Sequence, residues 1–345
     1  MVDAKVSFAC FSPDGRHVLW FPNEFSVDAG KLHLTKVTDD NKFGEDDANF
    51  APSSKIKLLE WAAFSHSGEK IAAVSLGKIH IFDRRGSRAS RSGYPSGSLL
   101  HEIQYVSPRD AHLVTVSFSQ DDEYILTFGW DGIINVWHVD SGILFDTLDT
   151  YPKENTFSLS DGPLGTWAHI SPCRKRYVTG YSDGTLQVWD ATTKNCIFEK
   201  KFPKKKIGGG DGDHRRISCV HFSHKDSNLI AVGVWDYRVY VIDIENRSII
   251  HTLVKHTGCI STVFFSSDDT KIISAASDGT ANLWSVADGS LLYTVSKTGH
   301  RVKTAMLSNQ ESENIILANL NGPMVIVPWK DDEKKTRSIS HWMGN

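Results

Sequence analysis

Three features of the chain carry residue types that could do chemistry. Gly180-Tyr181-Ser182-Asp183-Gly184 fits Gly-x-Ser-x-Gly, the turn that in hydrolases lifts a nucleophilic serine off the end of a strand. That chemistry needs a helix directly after the serine. Here Thr185-Leu-Gln-Val-Trp-Asp190 follows, a β-type run, so a hairpin turn is predicted instead. Gly208-Gly-Gly-Asp-Gly212 lies near several lysines and has the suppleness of a phosphate cradle, but no Gly-Lys-Ser/Thr opens a helix after it, and a loop is expected. The fifteen histidines contain no His-x-x-x-His pair, and the five cysteines (Cys10, Cys173, Cys196, Cys219, Cys259) contain no Cys-x-x-Cys. Neither a metal site nor a disulfide framework is predicted. No carboxylate pair stands out. The residues point to binding and not to catalysis, with no cofactor and no small-molecule substrate expected.

What positions such groups is an internal repeat. A strand ending in an apolar residue and Ser recurs seven times, anchored at Phe11, Phe64, Phe118, Ile170, Phe222, Phe265 and Leu307. The anchors are 53, 54, 52, 52, 43 and 42 residues apart, and the last two spacings match one four-stranded propeller blade. After each anchor come a turn and two β-rich runs. The runs are joined by Asp131-Gly132, Asp183-Gly184 and Asp278-Gly279, with variants at Trp235-Asp236-Tyr237 and Asn321-Gly322. Such turns are hairpin signals, because their central positions tolerate positive φ. No stretch sustains a 3.6-residue period, so the chain reads as all-β.

Asp-Gly-x4-Trp at Asp131…Trp137, Asp183…Trp189 and Asp278…Trp284, with the dipeptide Trp189-Asp190, resembles the WD-repeat family. The resemblance covers nearly the whole chain, most strongly 113–296. It implies a single seven-bladed β-propeller of four-stranded antiparallel blades, at roughly 5–54, 55–107, 108–149, 160–203, 214–255, 256–298 and 299–343. It also implies a buried polar network in each blade. His256, Ser274, Asp278 and Trp284 match it fully, whereas Thr127-Asp131-Trp137 and Thr179-Asp183-Trp189 keep three members each. The fifth copy keeps Asp236 but has Ile242 in place of Trp, and the seventh retains at most His300. Because so little chain precedes the first copy's strand, the segment 335–344 is expected to supply the last blade's fourth strand.

The family most often binds partners on the top face, where the loops joining second to third strands meet those between blades. On that face the resemblance places Trp130 and Trp235, each just before a turn Asp, and at the strand entrances Lys5, Glu60, His112, Arg216, Arg301 and Lys303. An indole on a rigid rim suits a binding hot spot. A basic, Gly-rich insertion at 203–215 brings Lys204, Lys205 and Lys206 to the same face. Its basic and aromatic groups would suit an acidic or phosphorylated peptide, or RNA. On the bottom face, the Arg/Ser/Gly-rich loop 84–98 contains Arg84-Arg85-Gly-Ser87, a pattern resembling a basic-directed kinase site.

The composition fits this reading. Net charge is -3, so no global field draws the chain to nucleic acid or anionic membrane. No apolar run is long enough for a span or a secretory leader, and the cysteine usage suits a reducing compartment. The expected function is a non-enzymatic protein-interaction scaffold inside the cell, in cytoplasm or nucleus, as a subunit of a larger complex. An RNA-associated subunit using the insertion at 200–216 is the alternative.

Overall fold

A computed structural model of the chain describes residues 6–22, 31–38, 43–50 (side chains only at 43–44), 59–75, 77–84, 97–109, 111–151, 163–204, 214–295, 299–308, 314–320 and 322–329. Their twenty-seven strands form seven antiparallel sheets, in each of which every strand pairs with the next in the chain. Six sheets have four strands and the seventh has three. They cover 6–50, 59–104, 113–149, 165–201, 217–254, 260–295 and 302–328, and no helix occurs among the described residues. The chain is an all-β, seven-bladed propeller. The segment expected to complete the last blade, 335–344, lies outside the described residues, as do most of the 84–98 loop and of the 203–215 insertion.

The repeated apolar-Ser anchor has a direct physical role. In all seven blades the backbone N–H of that serine (12, 65, 119, 171, 223, 266 or 308) donates to the first residue of the second strand, at 2.8 to 2.9 Å. In all but blade five the hydroxyl also accepts the N–H of that same residue, as when His17 donates to Ser12 Oγ at 3.0 Å and Lys271 to Ser266 Oγ at 2.9 Å. A small hydroxylated residue closes the bottom turn and leaves no orphan backbone donor.

A second regularity sets the channel. Each first strand bulges at its second residue, for example between Leu59 and Trp61, Ile217 and Cys219, or Val302 and Thr304. A bulge leaves one residue outside the ladder and re-aims its side chain. The first strands are innermost, so this turns Glu60 and Lys303 toward the mouth of the channel. Closure of the ring is by packing of blade one on blade seven. Val6, Ala9, Phe11, Val18 and Trp20 share an apolar cluster with Ile316, Ala318 and Met324. Thr304 Oγ1 donates to the Ala9 carbonyl at 3.2 Å across the same seam.

Candidate interaction face

Buried hydrogen bonds hold the top turns of the blades in different ways. In blade six His256 Nδ1 meets Asp278 Oδ2 at 3.1 Å, His256 Nε2 meets Ser274 Oγ at 2.9 Å, and Trp284 Nε1 donates to Ser274 Oγ at 2.9 Å. With the Nδ1 proton on the carboxylate side, the serine hydroxyl donates to the imidazole and accepts from the indole. Burial on its own would raise the Asp278 carboxyl. Hydrogen bonds from His256, Thr280 and the Thr257 N–H outweigh it and hold the group well below the usual carboxylate range. In blade three the indole–hydroxyl pair is present, Trp137 to Thr127 at 2.9 Å, but no histidine reaches Asp131. Tyr105 and Ser107, from the segment entering the blade, each donate to Asp131 Oδ2 at 2.6 Å instead. Blade four keeps Trp189 to Thr179 at 3.1 Å, and its Asp183 is ion-paired with Lys201 at 2.7 Å.

Blade five replaces the pair as a unit. Val232 and Ile242 stand where Ser274 and Trp284 stand in blade six, while Asp236 accepts from Tyr240 at 2.6 Å. Changing both partners to apolar groups leaves no polar atom stranded. The sequence pattern missed Tyr105 because it sits eight residues ahead of its blade's first strand, twice as far as His256.

On these turns stands the rim. In blades three to seven the residue after the second strand donates its N–H to the carbonyl of the residue before the first strand, as do Trp130 to His112 at 3.0 Å, Trp235 to Arg216 at 2.9 Å, and Leu320 to Arg301 at 2.7 Å. Trp130, His112, Trp235, Arg216 and Arg301 are therefore fixed by backbone, with their side chains left to their surroundings. Trp130 is half-buried, its ring edge-on to His112 at 5.2 Å. Trp235 is 36% exposed and lies under the Arg216 guanidinium, 5.1 Å from its ring centre. Arg301 and Lys204 are exposed. Lys303 is half-buried on the bulge of its strand, where burial lowers its ammonium and the Glu60 carboxylate works against that. Lys5, Lys205 and Lys206 lie outside the described residues.

Next to Trp235 the turn departs from its counterparts. Gly132, Gly184 and Gly279 adopt φ of 70°, 82° and 81°, and the matching residue of blade five is Tyr237 at 72°. A bulky residue in the left-handed region is strained, by about 1–3 kcal/mol. Its ring lies edge-on to His214 at 5.9 Å.

The WD40 repeat pattern (WD domain, G-beta repeat) matches residues 103–138 and 247–285, the blades with the fullest Asp-centred networks. The propeller carries WD40 repeats. Relatives include Protein SUPPRESSOR OF PHYA-105 1 of Arabidopsis thaliana, 25% identical over 228 residues, and the U3 small nucleolar RNA-associated protein 21 homolog of Schizosaccharomyces pombe, 26% identical over 168. WD repeat-containing protein RUP2 of Arabidopsis thaliana is 34% identical over 119 residues. The alignments take in 65%, 48% and 34% of this chain and only 19%, 16% and 30% of the relatives' lengths.

The axis of this WD-repeat propeller is filled. Trp61 touches rings from three other blades: Phe8 at 4.6 Å, Trp167 at 4.5 Å and Phe264 at 6.4 Å. Below that plug, the His169 and His221 rings meet at 4.4 Å, tilted 49° to one another. Burial lowers His169 to about 3, with the His224 and His66 imidazoles adding to the effect. Burial likewise holds His221 well below the usual histidine range. Around the bottom mouth two equivalent staples join neighbouring blades. Asp122 caps the N–H groups of His66 and Ser67, and Asp269 caps those of His224 and Lys225, at 2.6 to 2.9 Å. Both aspartates are left-handed, at φ 61° and 60°.

The Gly180–Gly184 motif is a hairpin turn between Arg176–Tyr181 and Thr185–Asp190, with Ser182 Oγ accepting the Leu164 N–H at 2.8 Å. No helix among the described residues is long and apolar enough to cross a membrane.

Proposed function

We propose that this propeller is a non-enzymatic interaction scaffold inside the cell, holding a partner protein of a larger complex on the top rim of blades three to five. One observation carries the reading. Trp235 offers an exposed indole on a rim whose backbone is hydrogen-bonded in place, so its contact area costs little ordering on binding. Trp130 with His112 extends the aromatic surface to blade three. A relative named as a small nucleolar RNA-associated protein supports a role inside an assembly.

Affinity purification of the full chain, comparing wild type with Trp235→Ala and Trp130→Ala, tests this. Loss of the same partners from either variant is expected, and partners retained equally by both would refute it. The second reading, an RNA-associated subunit, draws on the relative named for small nucleolar RNA and on the basic residues Lys204–Lys206 and Arg215–Arg216. A gel shift with RNA that weakens steeply with salt and vanishes when Lys204–Lys206 are neutralised would favour it.

A further inference from the structure

Among the described residues Arg216 is the one half-buried arginine without a hydrogen-bond or ion-pair partner. The comparison with the others is direct. Arg84 pairs with Asp14 at 3.6 Å, Arg109 with Asp149 at 2.8 Å and Arg238 with Asp236 at 3.8 Å, while Arg176 donates to the Ser227 carbonyl at 3.1 Å. Arg215 is also engaged. The Arg216 guanidinium has only the face of Trp235, 5.1 Å away. A partly desolvated cation with five N–H donors and no acceptor is costly for a fold to keep without a use. Its neighbour Tyr237 is also kept at a cost, in a conformation that three other blades give to glycine.

We propose that Arg216, stacked on Trp235, receives a single carboxylate of an acidic partner peptide, off the channel axis on the top of blade five. The inference rests on the top rim being the docking face and names what docks there. Charge selects the ligand. Arg238 pairs with Asp236 at 3.8 Å and Lys204 and Arg215 have interactions of their own, so among the described residues Arg216 is the cation of this turn left for a ligand. One carboxylate satisfies a planar two-donor edge of one guanidinium. A phosphate dianion or a nucleic-acid backbone would draw on several cations together. The exposed indole of Trp235 takes an apolar or aromatic side chain flanking the acid. Placement off the axis follows from the aromatic plug of Phe8, Trp61, Trp167 and Phe264, which denies a peptide the depth of the channel.

The test is a display library of random peptides panned on the full chain, with Arg216→Gln, Arg216→Lys and Trp235→Ala panned in parallel. Peptides enriched on wild type are expected to share Glu or Asp at one position beside an apolar residue. A resynthesised peptide is expected to lose roughly tenfold or more in affinity on Glu→Gln against wild type. Against Arg216→Gln the same change should have little effect, which a double-mutant cycle reads as coupling. Should Arg216→Gln lower the thermal midpoint, Arg216→Lys, which keeps the charge and loses the flat fork, carries the comparison. Four outcomes overturn the proposal. They are no enriched peptide, enriched peptides with no acidic position, a Glu→Gln loss undiminished in the Arg216 variants, and a phosphoserine version that binds roughly tenfold tighter than the glutamate one. Acid-independent peptides that still need Trp235 would sink the carboxylate while leaving the rim reading intact. The same peptides enriched on Trp235→Ala as on wild type would sink the rim reading itself.

Discussion

Trp20 Nε1 donates to Thr35 Oγ1 at 2.8 Å, with the indole on the second strand of blade one and the hydroxyl on the third. Blade six makes the same bond the other way round, Ser274 on the second strand and Trp284 on the third. The two positions are equivalent in register, Val18 facing Thr35 as Ile272 faces Trp284. What the fold requires there is a matched pair, polar with polar or apolar with apolar, and either strand can carry the indole. Thr35→Val strands the Trp20 N–H and is expected to cost about 1–3 kcal/mol. Adding Trp20→Phe removes the stranded donor, so the double variant should lose less than the two single losses together. Urea midpoints at unchanged m-value measure both.

Tyr105 does in blade three what His256 does in blade six, reaching the turn aspartate with a buried side-chain donor from the segment that enters the blade. Burial and the Asp131 carboxylate push the Tyr105 phenol above its usual range, so it keeps its proton at any pH the protein meets. Tyr105→Phe is expected to cost roughly 1.5–3 kcal/mol, because the lost bond goes to a charged acceptor. Equilibrium unfolding checks it. A loss below the noise would mean that Ser107 alone satisfies Asp131.

Acid should unfold the propeller earlier than its carboxylates alone would. Burial lowers His80 to about 4 against the opposing Glu102 carboxylate, and lowers His169 to about 3. These imidazoles are neutral in the folded chain and titrate near 6.5 when it unfolds. The unfolded state therefore binds more protons between those values. Stability is intact above about pH 6.5 and falls as pH drops toward 4, by up to about 1.4 kcal/mol per pH unit for each imidazole. Urea midpoints between neutral and mildly acid pH should show that slope, and His169→Leu should make it shallower by one proton. An unchanged slope in the variant would place the acid sensitivity elsewhere.

Tyr237→Gly should separate stability from function. Glycine removes the left-handed strain and gives back part of the gain in backbone entropy, for a net stabilisation of about 1 kcal/mol. Partner capture should fall in the same variant, because the turn that carries Trp235 loses its aromatic ring and its contact with His214. A destabilised Tyr237→Gly would show that the ring's contact with His214 outweighs the strain.

The fold was legible because its governing residues are periodic. The anchor serines close the bottom turn in all seven blades, so a short string repeated at blade spacing was enough to count them. The polar network was legible only where one residue type sits at one spacing, as at His256, Ser274, Asp278 and Trp284. Tyr105 escaped because a longer lead-in loop brings a different donor to the same carboxylate. Trp20 and Thr35 escaped because the pattern assumed which strand carries the indole. Trp235 and Arg216 were both visible as rim positions. Their stacking was not, and neither was the aromatic plug, since Phe8, Trp61, Trp167 and Phe264 lie in four different repeats and meet only on the axis.

The most direct measurement is hydroxyl-radical footprinting of the full chain, free and in its purified native complex, read residue by residue. Trp235 and Trp130 are predicted to lose reactivity in the complex, while Ile143 and Phe145 on the outer edge of blade three, each 66% exposed, keep theirs. A Trp235 side chain equally reactive in both states, with protection falling on the outer edge or the bottom turns, would contradict the top-rim scaffold.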